Sequence, residues 1–255
     1  MFATAPRFVP GCFSSSTLLG AMKRKLTLSA RTTSSLVASP LFKATARPEI
    51  SPTMVQARCF SFSFAGPKVL DDILKKDLVD DKSATEISDM WYSYHEGKEN
   101  VHGIVLGGKA AAPLLERAAT SPFFIQPIFR DDGYFMLVSQ FMEPSHFIMA
   151  YLEDYKMDPA GAQPLLTFSV FDDYANDKDL MLVRADVLNK GINDEEGLKV
   201  VKSMLDQYVN DEEYLTVKAF NSKPDSFDID DFIAQKNIQW KGDGADSSKT
   251  IDVES

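Results

Sequence analysis

The sequence predicts an α+β domain: a mixed, mostly antiparallel sheet of about five to six strands with flanking helices, in a single unit. Three observations carry this. Residues 83–97 hold apolar side chains at helical spacing behind a capping signal. Residues 123–185 are a block of short β-branched and aromatic runs punctuated by turn residues. Helical spacing returns after Asn193. Helices, then strands, then helices favour an α+β layer arrangement over alternating βαβ units.

The elements follow in chain order. The domain is expected to span 67–236. Val69, Leu70, Ile73 and Leu74 fall at helical spacing across 68–76. Ser83-Ala84-Thr85-Glu86 is a capping box, in which the Ser83 hydroxyl accepts from the Glu86 amide and the carboxylate reaches back. Ile87, Met90, Trp91 and Tyr94 then form one apolar stripe, and Gly97 supplies the stop. Val101 to Leu106 reads as a strand. Ala110 to Ala119 reads as a helix with Pro113 in its first turn. Phe123–Phe129 and Tyr134–Phe141 make a hairpin around Asp131-Asp132-Gly133. Three more strands are expected at 146–152, 165–171 and 180–185, with an acidic loop over 172–179. Asn193 with Glu196 caps a helix carrying Leu198, Val201, Leu205 and Tyr208. Residues 211–220 lean to helix, 228–235 read as a last short helix, and 242–255 as a disordered acidic tail.

Charge is divided unevenly along the chain. Residues 1–66 hold eight of the 27 basic groups and one of the 37 acids, Glu49, leaving 19 basic and 36 acidic groups for the rest. A segment of +7 ahead of one of −17, with 17 Ser/Thr among its 66 residues, has the make-up of an organelle address. It ends in Arg58-Cys59-Phe60-Ser61, which resembles a mitochondrial processing site, so residues 1–60 are expected to be a transit peptide cut between Phe60 and Ser61. A retained basic tail and a plastid address are the alternatives. Cys12 and Cys59 both lie in the basic part, so the acidic part has no thiol nucleophile, disulfide or cysteine-bound zinc. Its acidity argues against nucleic acid. No apolar run approaches the roughly 18 residues of a membrane span.

Chemical motifs are weak. The string Gly103-Ile104-Val105-Leu106-Gly107-Gly108-Lys109-Ala110 matches a phosphate-binding loop but puts Ala110 where the magnesium-binding hydroxyl belongs. A strand-to-helix turn explains it better. His95, His102 and His146 have no helical partner at i+3 or i+4, so a helical metal pair is not expected. The acidic run 172–177 lacks an EF-hand register. Phe141, Met142 and Phe147 flank a Pro-containing segment between two strands. They read either as core anchors or as an exposed apolar contact for a partner.

Across this span the residues resemble a known family. Leu70-Asp71-Asp72-Ile73, Ile87 with Trp91 and Tyr94-His95, Phe123 with Pro127, Arg130 and Gly133-Tyr134, and Leu180-Met181 with Arg184 are similar to the mitochondrial ATP synthase assembly factors that chaperone the beta subunit. The resemblance covers residues 67–236 and rests on order and spacing, not on one motif. It implies a non-enzymatic protein of the mitochondrial matrix, with no cofactor. It also implies that the protein binds unassembled beta subunit, keeps it from aggregating and releases it as alpha joins. No catalytic residues carry over. Two rival expectations remain: an organelle enzyme using His95 or His146 with carboxylates, and an interaction module for another client.

Overall fold

The computed structural model describes residues 68–131 and 133–242. The chain divides into two units, Met1–Ser61 and Phe62–Ser255, and the described residues belong to the second. The expected address, its cut at Phe60 and Ser61, and the tail beyond Gly242 lie outside the described residues.

Six strands form one sheet: β1 (Val101–Gly107), β2 (Phe123–Arg130), β3 (Gly133–Met142), β4 (His146–Tyr151), β5 (Pro164–Tyr174) and β6 (Leu180–Val187), in the order β1-β6-β5-β4-β3-β2. Every neighbouring pair is antiparallel, so the expected mixed component is absent from the described sheet. The helices are α1 (Ala84–Glu96), α2 (Gly108–Ala111), α3 (Pro113–Thr120), α4 (Leu152–Met157), α5 (Ala175–Lys178), α6 (Asp194–Val209), α7 (Asp211–Ser222) and α8 (Ile229–Gly242).

Side chains alternate between the two faces of a strand, so the register separates two layers. One face carries Phe124, Ile128, Leu137, Phe147 and Phe168 and packs under α6, α7 and α8. There Phe124 meets Phe220 and Phe232 edge-on, and Phe147 meets Tyr208. Arg117 joins α3 to this layer by donating to the Tyr208 and Val209 carbonyls at the end of α6, and it pairs with Asp211 at the start of α7. Two polar groups here are paired: the Tyr208 hydroxyl donates to the Ser121 carbonyl at 2.8 Å, and Gln126 Nε2 donates to Ser203 Oγ at 3.1 Å. The opposite face, at its β1-β6-β5 end, packs against α1 through Ile87, Trp91, Leu182 and Phe171. The Trp91 indole N–H donates to the Val183 carbonyl at 3.2 Å.

Both capping boxes form as expected. Ser83 accepts from the Glu86 N–H and Glu86 accepts from the Ser83 N–H; Asn193 and Glu196 do the same. Several expectations are corrected. The apolar pattern at 68–76 gives two 3-10 turns, Leu70–Asp72 and Lys76–Leu78, with only Leu70 of them buried. The expected helix over 110–119 is two pieces, because Pro113 starts α3. Leu152 opens a helix instead of ending a strand; with Tyr155 it is buried one turn apart. The expected acidic loop is structured: β5 continues to Tyr174 through a register shift, and α5 follows. Asp173 pairs with Lys76, Asp179 accepts from the Lys109 N–H, and the Tyr174 hydroxyl donates to Asp80. The last helix is longer than expected and runs to Gly242.

Candidate functional site

Phe141, Met142 and Phe147 do not form an exposed loop. The strands run to Met142 and resume at His146, leaving only residues 143–145 as the turn. Phe141 faces Phe147 across β3 and β4, with ring centroids 4.9 Å apart, and Phe147 stacks on Phe168 at 4.4 Å. Phe147 is fully buried and Phe141 nearly so, which leaves Met142 half-buried as the accessible one of the three. The core reading of this segment holds, and the two phenylalanines offer no surface to a partner unless the sheet opens.

The phosphate-loop-like string is a strand followed by a helical turn. Two amides of its helical turn are already engaged: the Gly108 N–H donates to the Asp179 carbonyl at 2.9 Å, and the Lys109 N–H to Asp179 Oδ1 at 2.6 Å. Asp179 reaches this position by taking φ 54. A side chain at Gly108 would collide with the backbone of Ala175 at 2.7 Å.

The histidines separate. His95 Nδ1 lies 2.7 Å from the Trp91 carbonyl and therefore carries the proton there; burial pushes its pKa below the ordinary 6.5. Its ring closes over Gly103, where a Cβ would lie 2.5 Å from Nδ1. His146, on β4, lies 2.7 Å from Ser169 Oγ, and burial lowers its pKa to about 4. His95 over β1 and His146 on β4 are separated by three inter-strand spacings, roughly 14 Å. Arg184, bound to Asp186, faces Gly103 on one side and Ser169 on the other. The two histidines proposed for an enzyme therefore share a face but not a site.

A cleft of about 630 Å³ runs beside β1 instead. On one side stands α1, whose Asp89, Tyr92, Ser93 and Glu96 fall at i, i+3, i+4 and i+7, a single stripe. On the other stands α6, with Asp194, Leu198 and Lys202 at i, i+4 and i+8. The floor is β1. His102 Nε2 lies 2.9 Å from Asp194 Oδ1, tying the strand to the helix start. His95 Nε2 is buried with no hydrogen-bond partner among the described residues. Asp89 and Glu96 are exposed and pair with no cation among the described residues. Among the described residues no group of three or more His, Cys, Asp or Glu could hold a metal ion, and no helix is long and apolar enough to cross a membrane.

A family model described as ATP11 protein matches residues 23–233, which is most of the chain and includes every described strand. The chain belongs to the ATP11 protein family. Three relatives of this ATP11-family chain carry the name ATP synthase mitochondrial F1 complex assembly factor 1. The Mus musculus protein is 26% identical over 188 residues, covering 73% of this chain and 57% of the relative. The Homo sapiens protein is 25% identical over 185 residues, covering 72% and 55%. The Danio rerio protein is 23% identical over 166 residues, covering 64% and 54%. The chain thus spans little more than half the length of these relatives.

The cleft was not legible beforehand. The sequence singles out only the apolar stripe of this helix, not Asp89, Ser93 or Glu96, and β1 reads as one strand among several. That β1 lies at an edge between two helices follows from strand order, which the sequence did not give.

Proposed function

We propose that this ATP11-family chain is an assembly factor for the soluble F1 head of mitochondrial ATP synthase. It binds the unassembled beta subunit in the matrix, prevents its aggregation and hands it to alpha, acting without enzymatic turnover, cofactor or metal. The observation that carries this reading is the family match from residue 23 to 233, together with relatives that bear the F1 assembly factor name. The charge distribution supports it. A basic, Ser/Thr-rich leader suits import, with cleavage between Phe60 and Ser61. A strongly acidic domain resists self-association while its client stays apolar and aggregation-prone.

The test is capture from a mitochondrial matrix extract with tagged protein, followed by identification of what is retained. Free beta subunit without alpha is the expected product. Retention of alpha alone, or of an unrelated client, would overturn the assignment of beta. Retention by a plastid stromal extract and import into plastids alone would move the protein to the other organelle.

A further inference from the structure

The two edges of the sheet are treated differently. The β2 edge is closed. Pro127 removes a donor in its middle, and the Asn221 side chain occupies both backbone groups of Phe123, accepting from its N–H at 3.2 Å and donating to its carbonyl at 2.6 Å. Helices α7 and α8 pack against it. The β1 edge carries none of these devices. Its seven residues contain no proline, lysine or arginine, and its pairing with β6 shows no bulge. Long edges without such protection are templates for another strand.

The unpaired groups can be identified. The Val187 N–H donates to the Asn100 carbonyl at one end of the ladder, and the Gly108 N–H to the Asp179 carbonyl at the other. In an antiparallel ladder, hydrogen-bonded pairs alternate with non-bonded ones. The same parity turns the backbone groups of His102, Ile104 and Leu106 toward β6. It turns those of Val101, Gly103 and Val105 outward, into the cleft. Among the described residues these outward groups make no hydrogen bond. A row of alternating donors and acceptors at strand spacing is satisfied by one chemistry, an extended peptide backbone.

The walls specify its side chains. An added strand alternates between the α1 side and the α6 side. On the α1 side it meets the uncompensated carboxylates of Asp89 and Glu96, about 10 Å apart along the helix. On the α6 side it meets Leu198, between Asp194, which is held by His102, and Lys202. We propose that the β1 edge is a docking site for an extended client segment that adds as a seventh, antiparallel strand, its basic side chains toward α1 and its apolar ones toward α6. The proposal rests on the assembly-factor reading only in taking that segment from a client subunit. Main-chain pairing supplies binding that is tolerant of sequence and readily exchanged, which suits a factor that must later release its client.

The test uses the isotope-labelled protein and an acetylated, amidated heptapeptide of alternating lysine and valine. Residues directly opposite in an antiparallel pair share a face, so the lysine amides of the peptide are the ones that bond to β1. Methylating the lysine amide nitrogens should weaken binding at least tenfold, whereas methylating the valine amides should leave it within about twofold. Peptide binding should slow amide exchange at Val101, Gly103 and Val105 at least tenfold and leave Ile104 unchanged. Asp89→Lys with Glu96→Lys, both on the exposed side of α1, should weaken this peptide at least tenfold and favour a glutamate-valine counterpart. Equal binding of the two methylated peptides, or binding without protection of those three amides, overturns the proposal. Dimerisation of the protein that protects the same amides would replace the client with a second copy and also overturn it. Suppression of beta-subunit aggregation with the three amides unprotected would sink the docking site alone and leave the assembly reading standing.

Discussion

Trp91→Ala tests the packing that holds α1, and with it one wall of the cleft, on the sheet. Trp91 is 1% exposed and sits among Ile87, Phe171 and Leu182. Its ring lies 4.4 Å from that of His95 and 6.1 Å from that of Phe171. A buried indole hides roughly 200 Å² of surface, or about 5 kcal/mol at 25 cal/mol per Å², an upper value because the unfolded chain is not fully extended. Large aromatic truncations in cores cost about 3–5 kcal/mol, so about 4 kcal/mol is expected here. Trp91→Phe keeps most of the apolar contact and loses the donation to Val183, whose carbonyl retains its ladder partner; about 1 kcal/mol is expected. Urea titration followed by far-ultraviolet circular dichroism reads both. At a slope of about 2 kcal/mol per molar, the alanine variant should lose about 2 M in midpoint. A loss below about 1 kcal/mol for Trp91→Ala would refute the reasoning and mean that α1 does not depend on this anchor.

Other expectations follow from particular contacts. Burial holds the His146 pKa at about 4 against 6.5 for the free side chain, so the unfolded chain takes up a proton that the folded one refuses. Its contribution is present above pH 6.5 and is lost as pH falls toward 4, by about 3 kcal/mol; His146→Gln should flatten the stability profile over that window in denaturant titrations. Asn193→Ala removes the acceptor for the Glu196 N–H and should cost about 1 kcal/mol by the same titration. Lys109→Ala should change neither stability nor client protection, because its side chain is exposed and lies 3.9 Å from Asp179 without a phosphate role. Arg58→Ala should slow processing during import, read by terminal sequencing; an unprocessed start at Met1 in the native organelle would contradict the cut before Ser61.

Local signals in the sequence survived where local physics decides the outcome. Ser83 with Glu86 and Asn193 with Glu196 satisfy orphan amides within one turn, so both helix starts were readable. The strands at 123–141 were readable from alternation and the Asp131 turn, where φ is 36. What failed depended on distant partners. The acidic segment 172–179 looked solvated because its acids were visible, but Lys76, which pairs with Asp173, and the Gly108 and Lys109 amides, which donate to Asp179, lie far away in the chain. Phe141 and Phe147 read either as core anchors or as an exposed contact because Pro144 lies between them; the turn needs only three residues, so both rings enter the core. The β1 cleft depends on strand order, since only topology decides which of six apolar strands is left at an edge.

The central claim is that the chain holds a client without chemistry of its own, and the most direct measurement is light scattering of beta subunit diluted from denaturant. Added protein should suppress scattering, with saturation near one molecule per client and no need for nucleotide. No suppression at excess, or suppression that requires ATP hydrolysis by this chain, would contradict it.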